Sequence, residues 1–316
     1  LISDYLRKFG WEKVTIERLH DILASAGLGS ILHVPTDLLE EDNDSGREAF
    51  YTLEVTCPFC SYGSSGDIQT AKLRTRSLVL EYNYKSRYYP LLVPSASRAF
   101  AGYRFEDPLL RQATVCPHCF FSSIKAEHFN RQDGKGQAGM FFDKLPQKKY
   151  VALREEMQRD EKNRRAVTER FEDVPAKAWN ARRSPSLGRA ALVLAATSLE
   201  IMAQYDRNLW YPAASAYLSG ARISHDLSQF EHEVHCLRAA RENLRKTLEI
   251  DSTLALPVYQ MIVISWNLGD MQEATKWLDM YDKHKSKLKD GGKYFCYISN
   301  LSADMRVWDD YESAAG

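Results

Sequence analysis

The sequence predicts an α+β fold: a short helical segment, then a small β module tied by metal, then an all-α helical stack. Three observations predict it. Cys57-Pro58-Phe59-Cys60 and Cys116-Pro117-His118-Cys119 each set two thiols two residues apart, and each follows a strand-like run. Beyond about residue 148 the apolar residues recur at helical spacing. Within that region Ala240 and Leu244 recur 34 residues later as Ala274 and Leu278. The chain then divides into a helical segment at 1–50, a β domain at 51–130 and a helical domain at 131–316.

In chain order, Ile2, Tyr5, Leu6 and Phe9 form one helical stripe. Thr15 can cap a second helix through Leu19, Ile22, Leu23 and Ala26 that Gly27 ends. Residues 40–46 are an acidic, turn-rich break. Residues 51–56 read as a strand into the first Cys pair, and residues 112–115 as a strand into the second. Between them Leu78, Leu80, Tyr82 and Tyr84 alternate with Val79, Glu81, Asn83 and Lys85, the period of a half-buried strand. Residues 130–139 are polar and glycine-rich, a linker or long loop. Residues 148–183 are dense in both charge signs and read as a solvated helix. Leu192, Ala195, Ala196, Leu199 and Met202 then form one helical stripe, and Trp210, Ala214, Tyr217, Leu218 and Ala221 the next.

A tight Cys-x-x-Cys turn, a knuckle, aims two sulfurs at one point, and a second knuckle completes a tetrahedral S₄ cage. Structural Zn²⁺ is coordinated in this way, with no open position for a substrate. The expectation is one Zn²⁺ per chain held by Cys57, Cys60, Cys116 and Cys119, in a zinc ribbon of two strands each delivering a knuckle. Iron would fit the same cage. The insert between the knuckles is 55 residues, 61–115, against roughly 15–20 in the compact pattern. The competing readings are ordinary reduced core thiols or a redox pair.

The 34-residue interval is the tetratricopeptide period, and Leu268-Gly269-Asp270-Met271-Gln272-Glu273-Ala274 resembles that family's helix–turn–helix corner. There Gly supplies an unusual backbone conformation and a small Ala lets the second helix nest on the first. Ile262 stands where a small residue is usual, and Ser252 replaces the closing Pro. A first helix from about Ala255 to Leu268 would pack Val258, Met261, Ile262 and Ser265 on Ala274 and Leu278. Tyr259, Gln260 and Asn267 would then face a groove, with Tyr217 and Tyr211 of an upstream helix, as a partner-binding surface.

With these residues in view, the chain resembles the bacterial domain-of-unknown-function family DUF 2225. The matching stretches are Thr56-Cys57-Pro58-Phe59-Cys60, Lys72-Leu73-Arg74 and Ala113-Thr114-Val115-Cys116-Pro117-His118-Cys119. The resemblance covers about 51–316 and implies a split zinc ribbon with a tetratricopeptide-like C-terminal half. It implies no activity. The family usually has Gly after each second Cys, where this chain has Ser61 and Phe120.

Composition narrows the remaining choices. Lys+Arg and Asp+Glu both total 42, so no global charge favours nucleic acid or an anionic membrane. The longest oily stretch, Ala190 to Ala196, is too short to span a bilayer and reads as part of an amphipathic helix. The chain begins at Leu1, which reads as a fragment of a longer protein or a processed chain. Six Cys, four of them in two pairs, suit a reducing cytosol and give a cytoplasmic expectation. His232, His235 and Cys236 share one helical turn without an evident further ligand, and Cys296 reads as a buried thiol. Lys72, Arg74, Arg76, Lys85 and Arg87 among Tyr82, Tyr84, Tyr88 and Tyr89 are the best nucleic-acid signal, but charge of this kind also marks an edge strand. No dinucleotide, phosphate-loop or metalloprotease motif is present. The expectation is a non-enzymatic adaptor within a larger assembly, its helical face taking a protein or peptide partner. The alternatives are a zinc-ribbon nucleic-acid-binding protein and a thiol redox regulator.

Overall fold

The computed structural model of the chain describes residues 50–63, 68–73, 80–83, 91–94, 108–131, 140–180 and 183–289, with 294, 298 and 299. All of them belong to one compact unit. The helical expectation for 1–49, the acidic break, most of the glycine-rich stretch and Cys296 lie outside the described residues.

The β part is a set of short antiparallel ladders. Strand β1 (Phe50–Thr56) pairs with β2 (Ile68–Leu73), and its end also pairs with β7 (Asn130–Arg131). Along β1, Thr52 and Glu54 are exposed and Val55 is buried, opposite the equally buried Ile68. Strand β3 (Leu80–Asn83), the described part of the alternating run, pairs antiparallel with β4 (Leu91–Pro94). Strand β5 (Thr114–Val115) pairs with β6 (Ser122–Ser123). Each Cys pair therefore sits in the connection of its own antiparallel pair, β1–β2 for the first and β5–β6 for the second. Because β7 returns to the end of β1, the chain leaving the second knuckle is brought back beside the first.

The helical part is more broken than the sequence predicts at its start. The charged stretch forms α1 (Met140–Asp143), α2 (Gln147–Arg159), α3 (Glu161–Thr168) and two 3-10 turns ending at Phe171 and Trp179. It is not merely solvated: Leu153, Met157 and Arg164 are buried. Helix α4 (Pro185–Ala203) starts where the Ser184 hydroxyl accepts from Leu187 N at 3.3 Å and Pro185 occupies the first turn. It is buried around most of its circumference rather than amphipathic, because α2, α3, α5 and the β5–β6 hairpin all pack on it. At 19 residues and mean hydropathy 1.3 it is long and apolar enough to cross a membrane by length and composition, but 67% of that window is buried inside the fold.

Helices α5 (Trp210–Asp226), α6 (Phe230–Ile250), α7 (Ala255–Asn267) and α8 (Met271–His284) then stack in sequence, each on its predecessor. The corner between α7 and α8 follows the sequence argument. Gly269 takes a φ of +73° with open space around it, so only backbone conformation requires glycine there. Asp270 caps α8 by accepting from Glu273 N at 3.2 Å. Ala240, Leu244 and Ala274 are fully buried. Arg241 on Asp270 (2.8 Å) and Arg245 on Glu273 (3.1 Å) tie α6 to the first turn of α8.

The division at residue 130 does not separate two bodies. One hydrophobic cluster runs from Val55, Cys57 and Phe59 through α4 to Tyr259 and Ala274. Polar contacts cross the same boundary. The Asn180 side-chain amide accepts from Val115 N at 2.9 Å and donates to Val115 O at 2.8 Å, standing in for a neighbouring strand. Ser198 Oγ accepts from Ser122 N at 3.3 Å, and Ser122 Oγ donates to Ala191 O at 3.1 Å. A Cβ on Gly188 would come within 2.7 Å of Leu110 Cδ2 and 3.3 Å of its Cα, so a side chain there would force the Pro108–Arg111 turn or its Leu110 side chain to shift.

Two predictions follow from this shared core. Asn180→Ala orphans both polar groups of Val115 and should cost about 2–4 kcal/mol, read from the urea midpoint, with the loss seen in helical and aromatic signals together. His128 is fully buried; burial, helped by the Lys125 charge, pushes it from 6.5 down to about 3. The unfolded chain then binds a proton below pH 6.5 that the fold does not, so stability should fall between pH 6.5 and about 3, by up to ~1.4 kcal/mol per pH unit. His128→Gln keeps a hydrogen-bonding partner for Ser123 and should flatten that interval relative to wild type; parallel acid-unfolding curves would contradict it.

Candidate metal centre

Two copies of one local structure form the site. In the first, Ser61 N donates to Cys57 O (3.0 Å) and Cys57 N to Tyr62 O (2.9 Å). In the second, Phe120 N donates to Cys116 O (2.9 Å) and Cys116 N to Phe121 O (2.8 Å). The bonds are the same at the same offsets, so residues 57–62 and 116–121 are equivalent turns. Each turn closes only if the residue after its second Cys enters the left-handed region: Ser61 has φ 59° and Phe120 φ 56°. Glycine adopts this backbone conformation most readily. A side chain there stores local strain.

All four sulfurs lie within 4.8 Å of one another. Cys57 Sγ is 3.6 Å from Cys119 Sγ, and Cys60 Sγ is 3.5 Å from Cys116 Sγ, so the two knuckles are in direct sulfur contact. Those separations exceed a disulfide, ~2.05 Å, and approach the edge of about 3.8 Å in an S₄ tetrahedron with ~2.3 Å bonds. The four thiols are free, and the set could hold a metal ion. Cys57, Cys116 and Cys119 are at most 5% exposed, whereas Cys60 is half-buried. The sulfurs titrate as one group. The Cys116 thiol, ahead of Cys119 and Cys60, pushes Cys57 up, and the same Cys116, ahead of Cys119 and Cys57, pulls Cys60 down. Four cysteine sulfurs gathered in a largely buried site are the donor chemistry that a soft or borderline dication satisfies.

The surroundings brace the cage from two sides. Beneath it Phe59 meets Phe121 edge-on at 4.7 Å and Phe142 at 5.3 Å, and Phe121 leans on Phe129 at 5.0 Å. Over it, α2 and α3 hold the carbonyls of both turns. Tyr150 donates to Pro58 O (3.3 Å), Arg165 to His118 O (2.9 Å) and Arg164 to Cys119 O (3.2 Å). Arg164 is only 2% exposed and also reaches Met157 O (2.8 Å) and Asp160 (3.0 Å), so its buried charge is shared among three acceptors. None of these helical residues is evident as part of the site in sequence. Their signal was the charged stretch itself, where Arg164 falls one helical turn beyond Asp160. His118 is exposed and stacks on Tyr62 at 5.7 Å, as expected of a residue on the knuckle surface.

The other sequence candidates fare differently. Tyr259 is fully buried and stacks on Tyr294 at 6.0 Å, and Tyr217 is 4% exposed, donating to Glu200 at 3.1 Å; neither faces a groove. The reason is that α7 is packed between α6 and α8, with Tyr294 against Tyr259, so its polar positions are buried with its apolar ones. Asn267 is exposed, but its amide donates to Val263 O of its own helix (2.7 Å). A recess of about 370 Å³ lies instead between α6 and α8, with Leu248, Trp277 and Met280 on its walls. Cys236 is buried, and burial pushes its thiol up to about 12. Among the described residues, only the four-Cys group gathers three or more candidate ligands, so His232, His235 and Cys236 form no such set. Of the basic and aromatic stretch only Lys72 and Tyr82 fall on described strands, and the rest lies outside the described residues. Comparison with family models, with curated proteins and with solved structures gives no match.

The paired turns make a paired prediction. At exposed Ser61, glycine removes left-handed strain and loses little else, so Ser61→Gly should be neutral to about 1 kcal/mol stabilising. Phe120 meets Trp179 edge-on at 5.7 Å and lies 5.4 Å beneath the Arg165 guanidinium. Phe120→Gly relieves the same strain but loses those contacts, and should be destabilising by about 1–3 kcal/mol. Thermal midpoints of the two variants moving in the same direction would refute the assignment.

Proposed function

We propose that Cys57, Cys60, Cys116 and Cys119 hold one Zn²⁺ in a closed structural site, and that the chain is a non-enzymatic, zinc-stabilised adaptor. One observation carries the metal reading: four sulfurs from two equivalent turns meet within 4.8 Å, in a pocket walled by aromatic rings and braced by arginines. When bound, the ion supplies cross-linking charge rather than reactivity, because four protein thiolates leave no coordination position for water or substrate. The chain's own residues do the remaining work. The left-handed Ser61 and Phe120 close the turns, Tyr150 and Arg165 hold the carbonyls, and Arg164 joins the second turn to α3. Iron in the same cage is the variant of this reading.

The adaptor half rests on the α5–α8 stack, whose successive helix packing is of the kind repeat proteins use to present surfaces to partners. The tetratricopeptide likeness at Gly269 and Ala274, and the membership of DUF 2225, belong to the same proposal. The partner expected is a protein or peptide, in a cytoplasmic assembly.

Metal analysis of purified protein should return about one zinc per chain, with X-ray absorption showing four sulfurs near ~2.3 Å. Because the knuckles share a core with α4, Cys57→Ser with Cys116→Ser should lower the helical transition as well as remove the metal. Substoichiometric metal, or a coordination shell dominated by nitrogen and oxygen, would defeat the metal reading. Photo-crosslinking from Lys276 on α8 tests the adaptor: one recurrent protein that rebinds when purified supports it, and recovery of nucleic acid alone would replace it.

A further inference from the structure

We propose that the four-sulfur centre is a redox-sensitive lock in which Cys60 is oxidised first and is then joined to Cys116 across the two knuckles. Its consequence, metal release, rests on the zinc reading above; its order rests on geometry. Of the four sulfurs' residues only Cys60 is half-buried, the others being at most 5% exposed, so a small oxidant meets Cys60 first. Cys116 Sγ of the other knuckle stands 3.5 Å from Cys60 Sγ, and Cys57 Sγ stands 3.6 Å from Cys119 Sγ, so both contacts bridge the knuckles.

The oxidant class is a hydroperoxide. Cys60 Sγ attacks the terminal peroxide oxygen; an S–O bond forms as the O–O bond breaks, and the departing alkoxide or hydroxide takes a proton. Cys116 Sγ then attacks the Cys60 sulfur; the S–S bond forms, the S–O bond breaks, and hydroxide leaves as water on taking a second proton. Two thiolates lose two electrons and the peroxide gains them. The sulfurs must approach by about 1.5 Å from their present separation. Cys57 and Cys119 remain as two donors, too few for a closed tetrahedral site, so zinc leaves. The new bond spans the same 56-residue interval that the metal closed, so the two knuckles stay tethered and a thiol reductant can restore the cage. A bond within one knuckle would lose that tether.

The experiment uses zinc-loaded full chain, whose metal content is measured before any oxidant is added. Hydrogen peroxide is titrated in with a chromogenic zinc chelator present, and samples are alkylated and mapped without reduction. The expected result is zinc release in step with a cross-link between the Cys60 and Cys116 peptides, reversed by dithiothreitol. Limiting iodoacetamide on the wild-type chain should label Cys60 ahead of the other three by roughly tenfold or more. Cys60→Ser should slow peroxide-driven release where it retains metal; the wild-type mapping decides the question where it does not. A Cys57–Cys60 or Cys116–Cys119 bond, first labelling at a buried sulfur, or zinc retained while Cys60 is oxidised would overturn the lock. Absence of zinc at the outset would instead sink the metal reading and is seen before the oxidant enters.

Discussion

The described fold depends on one closure: Cys57 and Cys60 must meet Cys116 and Cys119 across the intervening 55 residues. Closing a loop of that length costs about 3–4 kcal/mol of chain entropy. The β pairing around it is slight, since β5, β6 and β7 contain two residues each. Such short ladders cannot repay the closure alone, whereas a zinc ion held by the four cysteines, as proposed above, would contribute on the order of 10 kcal/mol. The sheet contributes register: β7 returns the chain to the end of β1 and fixes which side of the first knuckle the second must occupy.

The closure reaches the helices because the cage is not a freestanding module. Its inner wall is aromatic, and its outer carbonyls are held by Tyr150, Arg164 and Arg165. The hairpin carrying the second knuckle has its free edge occupied by the Asn180 amide and its serines bonded to α4. An unpaired strand edge in the interior would leave backbone groups unsatisfied, and Asn180 removes that penalty without adding a strand. A metal held by the four cysteines, as proposed above, would therefore be coupled to α4 and the helices on it.

Local strain is accepted at two points for the sake of the cage. Ser61 and Phe120 occupy the left-handed region that glycine occupies most cheaply, but only Phe120 gains a contact by it. Phe120 uses its ring to join the knuckle to Trp179 and Arg165, a contact glycine could not make. Ser61 is exposed and makes no comparable contact, so its strain has no evident structural return.

Much of the site was legible in the sequence because its chemistry is local. Two Cys-x-x-Cys turns specify four ligands by spacing alone, and Gly269, Asp270 and Ala274 mark a helix corner by conformational demand, capping and size. The strand of alternating residues around Leu80–Asn83 was likewise readable from its period. What the sequence could not decide is what surrounds a stripe. Helix α7 has polar Tyr259 and Gln260 off its apolar face, and a two-dimensional pattern leaves them outside; the fold encloses the helix and buries both. In the same way residues 148–183 look solvated because charge dominates them, yet Arg164 is buried once carbonyls from a turn 45 residues earlier become its partners. Charge, spacing and propensity are carried by the chain itself. Burial and pairing belong to neighbours distant in sequence, so only the tertiary structure could assign Arg164, Arg165 and Asn180 to the metal centre and join the two predicted domains into one core.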